Sequence, residues 1–246
     1  MTNSQTKFIP QETKQRAYAR AAGFLFLWLI ATGLAGALTI SHILGSGTFA
    51  ESARAAAASE RLYRIALSCE LVETLSAALL AFALYVTLKP FDQPLSQLAM
   101  IFRLGESFLG AVGMIFAFSK LHLYLLAPPA ADTSASPVAS LVDLMGHAGW
   151  ATYNISALFF SIGSILFYYL FLLSRYIPRP LSAFGILASA IVTIMCLGSL
   201  IDPQQAARLQ YGWAGMAIAE VATGLWLMIF AVKVEQLCTT TTAVGG

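Results

Sequence analysis

Charge is scarce in this chain. Of its 246 residues only 11% are Asp, Glu, Lys or Arg, where a soluble domain carries roughly 25%. That shortage, with 58% hydrophobic residues and a mean hydropathy of +0.74, excludes an ordinary soluble domain. The net charge is only +2, and the basic residues form no patch with interleaved aromatics, which excludes a nucleic-acid partner. Cysteine is scarce too. Cys69, Cys196 and Cys238 form no CxxC pair, so they read as small apolar packing residues, neither a disulfide framework nor a zinc motif. Also missing are a Gly-x-Ser-x-Gly elbow, a phosphate-binding glycine loop and an HExxH helix. No lysine sits at the centre of an apolar run, which removes a retinal Schiff base, and no spacing supports haem ligation. No motif therefore names a catalytic residue or a cofactor. No inverted repeat stands out either.

What the chain has is long apolar runs. Six of about twenty residues or more predict an all-α, polytopic bundle of six transmembrane helices near 21–44, 62–88, 98–126, 149–173, 181–201 and 212–232. Turn chemistry separates them: Gly45-Ser46-Gly47, Lys89-Pro90 to Pro94, Pro128-Pro129, Pro178-Arg179-Pro180 and Asp202-Pro203. The expected organisation is an N-terminal tail over 1–17, one membrane domain over 18–235 and a disordered tail over 236–246. The first run exceeds a signal-peptide core and lacks a good small-x-small cleavage site, so it reads as a retained span. The alanine-rich stretch 51–64 should be helical, either lying at the surface or extending the second span.

Lys7, Lys14, Arg16 and Arg20 precede the first span, so the inside rule places both termini in the cytoplasm after six crossings. Nine of the 14 Lys and Arg then fall inside. Glu51–Arg54 and Glu60–Arg64 have helical spacing for pairing on the opposite side. Tyr63, Tyr124, Trp150, Tyr176, Tyr211 and Trp213 lie near span ends and read as interfacial belts.

Charged residues inside these spans mark the candidate site, because ionised groups in hydrocarbon are expensive and face a protein interior or a cavity. Glu70 and Glu73 stand at i,i+3 on one face of the second span, with the small residues Ser76 and Ala77 beside them. Two such carboxylates form either a proton- or cation-binding pair or half of a structural ion pair with Arg103. Arg103 and Glu106, also i,i+3, open the third span, nearer the cytoplasmic end by this count. The offset from Arg103 to Glu73 is then on the order of 15 Å, and direct contact needs a shifted boundary or a kink. Glu220, in the sixth span, has a depth similar to Glu70 and Glu73, beside a Gly215, Ala219, Thr223 stripe suited to close helix packing. A site of Glu70, Glu73 and Glu220 follows, with protons, a cation or Arg64 as compensation.

Asn154 begins a polar stripe on the fourth span that continues through Ser161, Ser164 and Tyr168; it either lines a cavity or binds neighbouring helices. Asn154-Ile155-Ser156 fits the glycosylation pattern but lies within a span, so it is set aside. His42, His122 and His147 all fall on the predicted outer side. With the carboxylates they are candidate metal ligands, but no helical pairing supports this, and polar helix-end residues are the simpler account.

Several segments resemble the bacterial membrane-protein family catalogued as domain of unknown function 4386. They are 19–26, Leu84-Tyr85-Val86-Thr87-Leu88-Lys89-Pro90, 95–106 with its Phe102-Arg103-Leu104, Arg179-Pro180-Leu181-Ser182-Ala183-Phe184-Gly185, and 220–226. The resemblance implies a multi-helix inner-membrane protein, and it transfers no activity and no site residues. Three function classes remain: a protein that binds or moves a proton, cation or small solute; a membrane-embedded metal-dependent enzyme; and an accessory subunit pairing its charges with a membrane partner or a second copy. The buried carboxylates favour the first. Lipid is the one partner the composition itself requires.

Overall fold

The computed structural model describes residues 11–127, 136–202 and 211–232. The Pro128-Pro129 turn, Pro203, Arg208, Cys238, residues 1–10 of the N-terminal tail and the tail over 236–246 lie outside the described residues. Those described form seven helices and no strand: α1 Gln11–Leu44, α2 Phe49–Ala58, α3 Glu60–Leu88, α4 Gln93–Leu126, α5 Pro137–Ser174, α6 Arg179–Ile201 and α7 Gly212–Phe230. All but α2 are long and apolar enough to cross a membrane.

Most long helices begin earlier than their apolar runs. Helix α1 already includes residues 11–17, because Gln15 is buried and its Nε2 donates to Thr87 O at 2.7 Å and to the Tyr176 hydroxyl at 3.0 Å. Helix α4 starts at Gln93, where the Asp92 carboxylate accepts from Leu95 N and Pro94 lies in the first turn. Helix α5 starts at Pro137 beneath the Ser136 cap, twelve residues before its apolar run at 149. Proline costs nothing in a first turn, where its missing N–H would have no intrahelical partner. At 38 residues α5 is about 57 Å long, well beyond the roughly 30 Å hydrocarbon core, so its capped end projects past that core.

The stretch 51–64 divides between both expected arrangements. Thr48 caps the separate helix α2, and the chain breaks at Ser59 (φ −120°, ψ 26°) before α3 continues the second span. Glu60 pairs with Arg64 at 2.7 Å, whereas Glu51 turns back to the Thr48 backbone N–H at 2.7 Å.

The six long helices close into a ring. Each packs against its neighbour in the order α1, α3, α4, α5, α6, α7, and α7 returns to α1; α2 lies against α1 and α4. Ring closure depends on Gly23 and Gly224, where the backbones meet: a Cβ on Gly23 would stand 2.6 Å from Gly224 O and from Met228 N. Large apolar side chains, including Phe108, Ile115, Ile194 and Ile229, face outward, as lipid contact requires.

Buried apolar residues inside form two clusters. One gathers Phe26, Leu84, Phe167, Phe171 and Leu227; the other gathers Ala53, Leu67, Met114, Leu121 and Val142. Tyr63 and Tyr124 belong to the second cluster at 3% and 7% exposure, so these two are core residues and not part of an interfacial belt. Trp213 packs on Tyr153 and Phe160, while Tyr211 is exposed. On α3 and α4 the two clusters leave a gap, and Glu70, Glu73, Arg103 and Glu106 fall in it.

Candidate functional site

The register of that polar layer is set by α3 and α4. Ser107 Oγ donates to Thr74 O at 2.6 Å, and Gly110 lies against the Thr74 side chain. Glu73 lies fifteen residues before the end of α3, and Arg103 ten residues after the start of α4. The axial step between them is therefore about five residues, or about 7.5 Å, half the offset expected from the apolar runs. The early start of α4 makes the difference.

Arg103 stands at the centre, 3% exposed. Its Nε lies 3.1 Å from Glu106 Oε2, its Nη1 donates to Ser164 Oγ at 3.4 Å, and its guanidinium carbon sits 4.5 Å from the centroid of the Phe160 ring. Its aliphatic stem rests on α5 at Gly163, where a Cβ would come within 2.9 Å of Arg103 Cγ. The charge on Arg103 acts on Glu73, Glu106 and Glu220, and Glu220 acts on both of the other two. Glu70 acts on Glu73 from one turn away. Three carboxylates, one each from α3, α4 and α7, thus gather around one guanidinium, with Glu70 next to Glu73. Arg64 is not among them, being paired with Glu60 at the surface.

Glycines on α1 make room for two of these acids. A Cβ on Gly33 would stand 3.2 Å from Glu73 Cγ, and one on Gly36 would stand 2.6 Å from Glu70 Cγ. Small residues in membrane helices permit such close approach, which here lets carboxylate stems lie flat between α1 and α3. The contact between Arg103 Nε and Glu106 Oε2 is one of charge: the two atoms are buried yet not aligned as a hydrogen bond. A cavity of about 10 Å³, room for about one water, adjoins Arg103 and Ser164 and is otherwise lined by apolar and aromatic side chains such as Phe26, Leu84 and Tyr168.

The α5 stripe works mainly as interhelical bonding. Ser161 accepts from Thr193 of α6 at 2.9 Å, and the Tyr168 hydroxyl bonds Thr223 of α7 at 3.2 Å. Ser164 alone of the stripe bonds the Arg103 guanidinium. Asn154 is buried, and its amide donates to Trp150 O in its own helix at 2.9 Å. The Gly215, Ala219, Thr223 stripe is internal: Gly215 lies near Ala188, and the other two are fully buried. His42, His122 and His147 are exposed on three different helices, and among the described residues no group of three or more His, Cys, Asp or Glu is placed to hold a metal. Residues that the sequence did not single out are Phe160 and Gly163, which seat Arg103. Glycine inside an apolar helix was the available signal for Gly163.

A ring of six apolar helices holding a buried arginine and four acids defines a multi-pass helical membrane protein with an intramembrane charged cluster. Residues 21–231 match the family described as Domain of unknown function (DUF4386), and the chain belongs to that family. No curated protein and no solved structure matches the chain.

Proposed function

We propose that this protein binds and exchanges protons at the Glu73, Glu106, Glu220 and Arg103 cluster, with Glu70 as the acid next in line toward the α2 side of the ring. The observation that carries this reading is the charge imbalance: one buried guanidinium acts on three carboxylates drawn from three helices, with a fourth beside them. Hydrocarbon does not tolerate a surplus of unpaired charge, so the acids in excess of Arg103 must be neutralised. Protons do this most simply, because close carboxylates share them readily. A metal cation would have to enter beside an arginine that repels it. The adjoining cavity, with room for about one water, favours a proton over an organic solute. An accessory role through charge pairing has less support, because Arg103 faces inward and is already partnered. We also place both termini on the cytoplasmic side of the inner membrane, from the excess of Lys and Arg on that side.

The test is Glu73→Gln in proteoliposomes. Proton movement under an imposed potential is followed with a pH-sensitive dye, and the protonated-carboxyl infrared band is titrated alongside it. The expected result is loss of the pH-dependent signal with an unchanged yield of folded protein. A variant that fails to fold, and is restored by adding Arg103→Gln, would show the cluster to be a structural ion pair.

A further inference from the structure

A second concavity lies away from the charged cluster, where α5 passes into α6 beside the end of α7. It has a volume of about 230 Å³, and Arg175, Tyr176, Pro178, Arg179, Trp226 and Phe230 line it. Both arginines are exposed, and among the described residues neither guanidinium has an ion-pair or hydrogen-bond partner. Two unpaired guanidinium groups at the mouth of one cleft present planar donors that match a phosphate group.

The backbone is strained at the same place. Arg175 closes α5 at φ 56°, and Ala231 follows α7 at φ 51°; these are the two non-glycine residues with positive φ among those described, and both line the cleft. Such strain gathers at ligand clamps, where the surrounding structure holds it. The remaining wall is aromatic. Trp226 and Phe230 pack with centroids 4.4 Å apart, and Phe230 is 57% exposed on the lipid-facing surface. A cationic mouth at a span end, continuous with an aromatic wall on the apolar side, matches a molecule that is anionic at one end and apolar at the other. The volume is below the roughly 300 Å³ at which pockets begin to enclose whole drug-sized ligands, so the headgroup enters and the chains stay in the bilayer.

We propose that this cleft binds the phosphate of an anionic phospholipid, with Arg175 and Arg179 on the phosphate oxygens and an acyl chain along Trp226 and Phe230. The full chain in a zwitterionic detergent is titrated with short-chain phosphatidylglycerol, short-chain phosphatidylcholine and inorganic phosphate, and binding is read by native mass spectrometry. Phosphatidylglycerol is expected to bind about tenfold more tightly than phosphatidylcholine, and the double variant Arg175→Gly with Arg179→Gln to lose that preference. Glycine suits the left-handed position, so that variant removes the guanidinium while easing the fold. Trp226→Ala is expected to weaken lipid binding and leave phosphate binding unchanged. Equal affinity for the two lipids, or a preference that survives the double variant, overturns the proposal. Inorganic phosphate bound as tightly as phosphatidylglycerol, and lost in the double variant, overturns the lipid assignment in favour of a soluble phosphate.

Discussion

Arg103 is accommodated within an apolar ring because several groups receive it together. Glu106 supplies the counter-charge at 3.1 Å, Ser164 a hydroxyl, Phe160 the face of its ring, and Gly163 the space for the stem. Removing one partner of a buried pair leaves the other uncompensated, at a cost of about 3–5 kcal/mol. Arg103→Gln is therefore expected to lower the thermal unfolding temperature in detergent sharply. Adding Glu106→Gln should recover most of the loss, since it removes the acid held nearest to the missing cation. A double variant no more stable than the single one would mean that the other acids, and not Glu106, depend on Arg103. The Arg103–Glu106 pair was legible in the sequence from its i,i+3 spacing. Its setting on α5 was not, because no spacing along α4 reveals which residues of another helix lie opposite.

At the scale of an element, α2 shows how local chemistry and packing divide the work. Its start is local: Thr48 Oγ accepts from Glu51 N at 3.4 Å, and the Glu51 carboxylate accepts from Thr48 N at 2.7 Å, a complete capping box. Its end is tertiary, since nothing in an alanine-rich run marks Ser59 as a break, whereas Ser52, Ala53 and Ala56 turn inward where α2 lies against α1 and α4. The Thr48 backbone hydrogen bond, then that to its side chain, holds the Glu51 carboxyl below its usual value near 4.5. A depressed folded-state value means that the stabilisation is present above the unfolded value and is lost as pH falls through the folded one. Amide hydrogen exchange in α2 is accordingly expected to quicken below about pH 4.5 in the native protein. Glu51→Gln should abolish that pH dependence, whereas Thr48→Ala keeps the backbone N–H and should only reduce it, while weakening the helix by about 1 kcal/mol at neutral pH.

The whole molecule is a closed ring, and its closure rests on two glycines. Because a Cβ on Gly23 would meet the backbone of α7 at 2.6 Å, Gly23→Ala must push α1 and α7 apart, at about 1–3 kcal/mol by analogy with other overpacked interiors. Gly215→Ala is the control: its Cβ would meet only Ala188 Cβ, at 3.9 Å, so thermal stability should hold or rise. Comparable losses from both would show that α1 and α7 are not in backbone contact. The ring also accounts for the position of the charges. Along α3 and α4 the acids and Arg103 lie between the two apolar clusters.

Composition and run length by themselves determined that this chain is an all-helical membrane protein with six spans, because hydrocarbon leaves few other ways to satisfy twenty apolar residues in a row. They also determined which residues are costly, and so where the site had to be sought. Only the tertiary structure decided that Arg103 and Glu106 join Glu73 and Glu220 in one cluster, since that rests on the α3–α4 register set by Ser107 and Thr74. It alone turned the glycines of α1 and α5 into seats for charged side chains and left the histidines apart on separate helices. The division has one physical cause. Transfer into lipid is a property of each segment by itself, whereas pairing of charges depends on which helix stands opposite and at what height.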